Sequence, residues 1–156
     1  MRLSATASRC LQPQLLEHIE DDYSILGQLY GCLMPGARLY IYVPAFQILY
    51  SAMDRHVGHL RRYRRGELVA KGRAAGFVIE RSGYCDSLGF LASLAYIAIG
   101  NKDGSIDRRS LVFYDRFLFP VSRWLDLLLG SFVAKNAWVT ARKPDASVDR
   151  MRAVVP

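Results

Sequence analysis

Three histidines and a run of arginines carry most of the chemistry available to this sequence. His18 follows Glu17 in the segment LLEHIEDD, and His56 and His59 stand in RHVGHLRRYRRGE with Arg61, Arg62 and Tyr63. Imidazole has an ordinary pKa of about 6.5, which lets it exchange a proton near neutrality. His59 is therefore a candidate proton acceptor. The guanidinium groups of Arg61 and Arg62 could pair an anionic acceptor through two parallel hydrogen bonds. A solvated basic loop weighs equally against that reading, because charge runs are usually solvated faces. The five arginines from Arg55 to Arg65 also permit phosphate contacts with nucleic acid. No nucleic-acid-binding module surrounds them, so that reading is a minor alternative. His56 and His59 are not read as metal ligands, since no third or fourth ligand is evident, and no metal is expected.

The elements that must position these residues can be read from the patterning. Glu17, Glu20, Asp21 and Asp22 lie at or before a helical stretch, where the N-terminal dipole favours acids. Ile25, Leu26, Leu29 and Leu33 repeat at one-face helical spacing. Gly27 and Gly31 weaken that helix by about 1 kcal/mol each relative to Ala, and Pro35-Gly36 ends it. Arg38 to Val43, RLYIYV, is a strand expected to be covered on both faces. Ala45 to Tyr63 reads as a long loop. A short helix from Glu67 to Ala75 ends at Gly76, and Phe77 to Tyr84 is a strand. Leu88 to Ile99 is helical, and Gly100 to Ser110 is a polar loop. Tyr114 to Gly130 reads as a helix kinked at Pro120. Its narrow polar arc favours a helix covering the sheet over one lying on a membrane. Asn136 to Arg142, NAWVTAR, is the final strand. Met1 to Gln14 carries no usable periodicity and is expected to be unstructured. Residues 145–156 read as a flexible tail.

Composition bounds the class. The chain has 156 residues, enough for one core. Hydrophobic residues make up 51% and charged residues 22%, which excludes intrinsic disorder. Lys and Arg outnumber Asp and Glu by 21 to 14. The three cysteines, Cys10, Cys32 and Cys85, have neither zinc nor redox-motif spacing, and their odd number argues against a disulfide framework. A reducing, cytoplasmic compartment is expected, with peripheral membrane contact as the variant. No run reaches the ~18 uninterrupted apolar residues of a membrane span.

Three segments in order resemble one family. LLEHIEDD at Leu15 to Asp22, LMPGARLYIYVPA at Leu33 to Ala45 and AGF at Ala75 to Phe77 are similar to class I S-adenosylmethionine-dependent methyltransferases, nearest the type-11 group. GHLRRY at Gly58 to Tyr63 and ARKP at Ala141 to Pro144 add to the resemblance, which covers Leu15 to Pro144. It implies an α/β fold, an incomplete Rossmann-like methyltransferase sheet lacking the N-terminal strands, with extra C-terminal helices. LLEHIEDD then follows the fourth strand, RLYIYV is the fifth, and AGF opens the sixth. The resemblance implies S-adenosylmethionine as cofactor, bordered by Gln14, Leu15, Glu17 and His18. His18 and His59 become the candidate catalytic residues. His56, Arg61, Arg62 and Tyr63 face a small or lipid-like acceptor.

There are departures. Met34 stands where a lysine is common, and Ala37 replaces the second glycine of the turn. No G-x-G occurs in the sequence, although backbone N–H groups must approach such a cofactor closely. The expectation is therefore the C-terminal half of a methyltransferase, inactive alone. The alternative is a non-catalytic remnant or partner-binding module that associates with itself or with a complementing chain.

Overall fold

The computed structural model describes residues 10–11, 15–99 and 133–145, together with Arg116, Val121 and Asp126. The expected polar loop after Gly100, most of the Tyr114 to Gly130 helix, Gln14 and residues 146–156 lie outside the described residues.

Four strands form one sheet: β1 (Cys10–Leu11), β2 (Arg38–Pro44), β3 (Val78–Cys85) and β4 (Asn136–Arg142), in the order β1-β2-β4-β3. β1 runs parallel to β2, with Cys10 opposite Arg38. β4 lies antiparallel to both of its neighbours, with Ile41 opposite Val139 and Ser82 opposite Val139 on the other side. Three strands therefore point one way, and the last in sequence runs against them. Two of the three strand pairings are thus antiparallel, and β2 and β3, which point the same way, are joined through β4.

Period-2 burial explains the pairing face. Leu39, Ile41 and Val43 of β2 and Ala137, Val139 and Ala141 of β4 are fully buried. Onto them pack α1 (Asp22–Cys32), through Leu26 and Leu29, and α3 (Arg65–Ala74), through Leu68. Each such leucine contributes about 1.5–3 kcal/mol by leaving water. On the opposite face Tyr40 stacks over Trp138, with ring centroids 6.2 Å apart. A Cβ on Gly83 would come within 3.0 Å of that indole, so glycine is the residue that fits beneath it.

The helix ends are satisfied by specific groups. Asp21 caps α1 by accepting the Ser24 N–H at 3.0 Å. At the other end Lys143 Nζ donates to the Tyr30 and Leu33 carbonyls at 2.7 and 2.8 Å. A cation there also suits the helix dipole. α4 (Ser87–Ile99) starts against the carboxylate of Asp126, which accepts the Asp86 and Ser87 N–H groups at 2.7 and 2.8 Å.

Two expectations change. Cys10–Leu11, within the stretch that carries no periodicity, pairs as a strand. Ala45 to Tyr63 is not a plain loop. It contains a 3-10 turn at Gln47–Leu49, the short helix α2 (Ala52–His56), and a parallel bridge between Ala45 and Tyr63. No helix among the described residues is long and apolar enough to cross a membrane.

Candidate functional site

The segment after β2 is organised by Asp54, a residue that the sequence pattern did not single out. Asp54 sits at the third position of α2, and its Oδ2 accepts the Ser51 N–H at 2.9 Å and the Ser51 hydroxyl at 3.3 Å. Oδ1 faces Nδ1 of His59 at 3.0 Å. Arg62 donates to both oxygens, Nε to Oδ1 and Nη2 to Oδ2, at 3.0 Å each. One carboxylate thus collects five donor contacts while almost fully buried. Burial pushes its pKa up, but the hydrogen bonds from Arg62, His59 and the Ser51 backbone outweigh that and hold it below the ordinary aspartate value.

His59 is positioned by its backbone as well. Its N–H donates to the Asp54 carbonyl at 2.8 Å, and its carbonyl accepts the Tyr50 hydroxyl at 2.8 Å. A carboxylate can only accept, so Nδ1 carries the proton and the Nε2 lone pair is left available.

The second arm comes from the 3-10 turn Leu16–His18. The Leu60 N–H donates to the Glu17 carbonyl at 2.7 Å and ties that turn to the loop carrying His59. His18 Nδ1 lies 2.9 Å from the Gly58 carbonyl, so it too must carry the proton. Gly58 turns the chain with φ of +79°, in the region that favours glycine. The rings of His18 and His59 meet edge to face, with centroids 4.9 Å apart. Glu17 lies buried beside them. The turn follows β1 and the loop follows β2, so the cluster stands outside the carboxyl ends of two parallel neighbours, where ligands bind in open α/β sheets.

No family model matches the sequence, and no curated protein is similar to it. Solved structures are similar in fold. One is a complex of the Haloferax volcanii Trm112 methyltransferase activator with a proposed methyltransferase, at a TM-score of 0.53 and 12% identity, over 89% of this chain and 55% of that one. A proposed methyltransferase of Bacillus halodurans gives 0.52 and 14%, over 93% and 68%. An S-adenosylmethionine-dependent methyltransferase of Mesorhizobium loti gives 0.50 and 12%, over 87% and 62%.

This chain carries part of the class I methyltransferase fold. It spans about half to two thirds of the length of these relatives. The element order fits the C-terminal portion of the methyltransferase sheet, with β1 and β2 as the fourth and fifth strands, β3 as the sixth and β4 as the last.

Within this methyltransferase fold the expected site residues divide. His18, His59 and Glu17 come together. Arg62, expected to face the acceptor, turns inward instead: its side chain is 7% exposed and is held by Asp54 and the Ala45 carbonyl. Tyr63 is fully buried. Its hydroxyl shares one proton between the Leu16 carbonyl at 2.9 Å and Asp22 at 3.0 Å. Burial, and then Asp22, push its pKa up. Lys71 completes that pair by donating to Asp22 at 3.0 Å. Arg61 donates to the Glu20 carbonyl at 2.9 Å, with its side chain 35% exposed. His56 is exposed on α2 and outside the cluster, and Leu15 is exposed at 45%. The signal for Asp54 was the S-x-x-D spacing of a capping box, Ser51 to Asp54.

Proposed function

We propose that this chain is the acceptor-side part of an S-adenosylmethionine-dependent methyltransferase acting on a small or lipid-like acceptor. The observation that carries the reading is the His59–Asp54–Arg62 arrangement at the carboxyl end of β2, in a class I methyltransferase fold. S-adenosylmethionine supplies an electrophilic methyl group when bound. The residues described do not fit its nucleotide end, since the sequence has no G-x-G turn. They fit the acceptor. A hydroxyl or amine placed at the cluster would give its proton to Nε2 of His59, and Asp54 would stabilise the imidazolium that forms. Arg62 acts through Asp54 as a positioning residue. Buried Tyr63 holds the turn that carries His18 through the Leu16 carbonyl, and Lys71 holds Asp22, the other partner of the Tyr63 hydroxyl.

The test is transfer of a labelled methyl group to a panel of small and lipid-like hydroxyl and amine acceptors. It uses the full chain, alone or with a partner that completes the nucleotide-binding half. His59→Ala should lower turnover by roughly ten- to a thousandfold, with cofactor affinity within a few fold. Unchanged acceptor kinetics would overturn the reading.

A second reading is a non-catalytic module that binds a partner or another copy of itself. The Haloferax volcanii methyltransferase is seen with an activator protein, and a complementing chain is the corresponding proposal here.

A further inference from the structure

Among the described residues, one buried side-chain oxygen has no hydrogen-bond partner: Oε2 of Glu17. A carboxylate oxygen left buried and unpaired is costly, so its place invites a cationic partner. Two imidazoles stand near the same carboxylate. Glu17, His18 and His59 each offer a ligand atom, and these atoms all lie within 4.8 Å of one another. Nδ1 of His18 is committed to the Gly58 carbonyl and Nδ1 of His59 to Asp54, at 2.9 and 3.0 Å. Each ring therefore keeps its Nε2 lone pair. This is how metal-bound histidines are held, with one nitrogen on the ion and the other N–H on a carbonyl or carboxylate.

We propose that Glu17, His18 and His59 form a divalent-metal site of the zinc class, with three protein ligands and an open position. Two imidazoles and one carboxylate suit zinc, cobalt or iron(II) better than magnesium. Bonds of about 2.0–2.2 Å place tetrahedral ligand atoms roughly 3.3–3.6 Å apart. Closing a pair from 4.8 Å needs about 1.2–1.5 Å of movement shared among the side chains, one of them the exposed ring of His18. The sequence pointed away from a metal because it paired His59 with His56. The fold leaves His56 exposed and brings in two ligands from forty residues away.

The proposal deepens the methyl-transfer reading. An acceptor hydroxyl at the open position would be held and acidified by such an ion, its proton passing to solvent in place of direct transfer to His59. Ion binding is measured without catalysis, so its failure leaves the methyl-transfer reading standing.

The test is calorimetric titration of the chelator-stripped 156-residue chain with Zn²⁺, and with Co²⁺ followed by its visible absorption. One equivalent should bind at micromolar or lower concentration, and Co²⁺ should show the bands of a four- or five-coordinate site. His18→Ala, His59→Ala and Glu17→Gln should each weaken Zn²⁺ by about tenfold or more. His56→Ala and Cys32→Ser should bind like the unaltered chain. Should a histidine variant fail to fold, the near-isosteric Glu17→Gln decides. Equal affinity in Glu17→Gln, or no Zn²⁺ binding by the unaltered chain, overturns the site.

Discussion

Arg62 closes on Asp54 with two parallel hydrogen bonds of 3.0 Å, both groups nearly out of water. Removing Arg62 takes two of the five donors from the buried Asp54 carboxylate, a loss of up to about 3–5 kcal/mol. Arg62→Ala should therefore lower the urea midpoint sharply. Arg61→Ala, a half-exposed group 3.6 Å from Asp22, should cost under about 1 kcal/mol. Equal effects of the two substitutions would show that the Asp54 pair is not the anchor of this loop.

The same pair sets an acid limit. The folded pKa of Asp54 lies below its ordinary value, so the folded state favours the carboxylate. That contribution is fully present above about pH 4 and is lost as pH falls through the lowered folded value. Unfolding followed from pH 6 downward should show stability falling in that window for the unaltered chain. The fall should be smaller in Asp54→Asn.

Two glycine substitutions should have opposite signs. Gly58→Ala forces a side chain into φ of +79° beneath His18 and should destabilise by about 1 kcal/mol or more. Gly27→Ala lies inside α1 with nothing within 4 Å of the added Cβ. It should stabilise by about 0.5–1 kcal/mol. Thermal melts of both variants give the comparison.

Cofactor binding should be weak in this chain alone. The missing glycine-rich turn removes charge-assisted contacts of about 1.5–3 kcal/mol each. Calorimetry with S-adenosylmethionine should show no saturable heat in the micromolar range. A micromolar dissociation constant would mean that another part of the chain, or a second copy, supplies those contacts.

The thiols should react in a fixed order. Burial, with Asp126 and Asp86 nearby, pushes Cys85 up to about 11, against a smaller opposing hydrogen bond from Tyr42. At pH 8 little Cys85 thiolate exists, whereas Cys32 lies exposed. Iodoacetamide followed by peptide mass spectrometry should find Cys32 modified well before Cys85.

Much of the fold was legible because it is periodic. RLYIYV and NAWVTAR alternate or run apolar over six and seven residues and lie in the strands where they were placed, within one residue. Cys10–Leu11 was not legible, since two residues hold no period. α2 was missed because its start signal is a four-residue capping box rather than an apolar stripe. His18 and His59 stood out by residue type, but their meeting depends on β1 and β2 lying side by side and on the Leu60–Glu17 contact. Arg62 looked outward in the sequence because charge runs usually do. Its inward turn depends on a carboxylate eight residues earlier that looked ordinary.

β4, the last of the described strands to be synthesised, stands between two made earlier. A chain emerging from the ribosome therefore holds β2 and β3 with unpaired ladders until residue 142 is available. Over that interval both edges are open to mispairing with other chains. Closure joins segments about a hundred residues apart, so folding is governed by distant contacts and should be slow. A ribosome-stalled chain ending before Asn136 would hold the His59 loop without the strand that fixes the end of β2, and should be cut readily by protease in that loop.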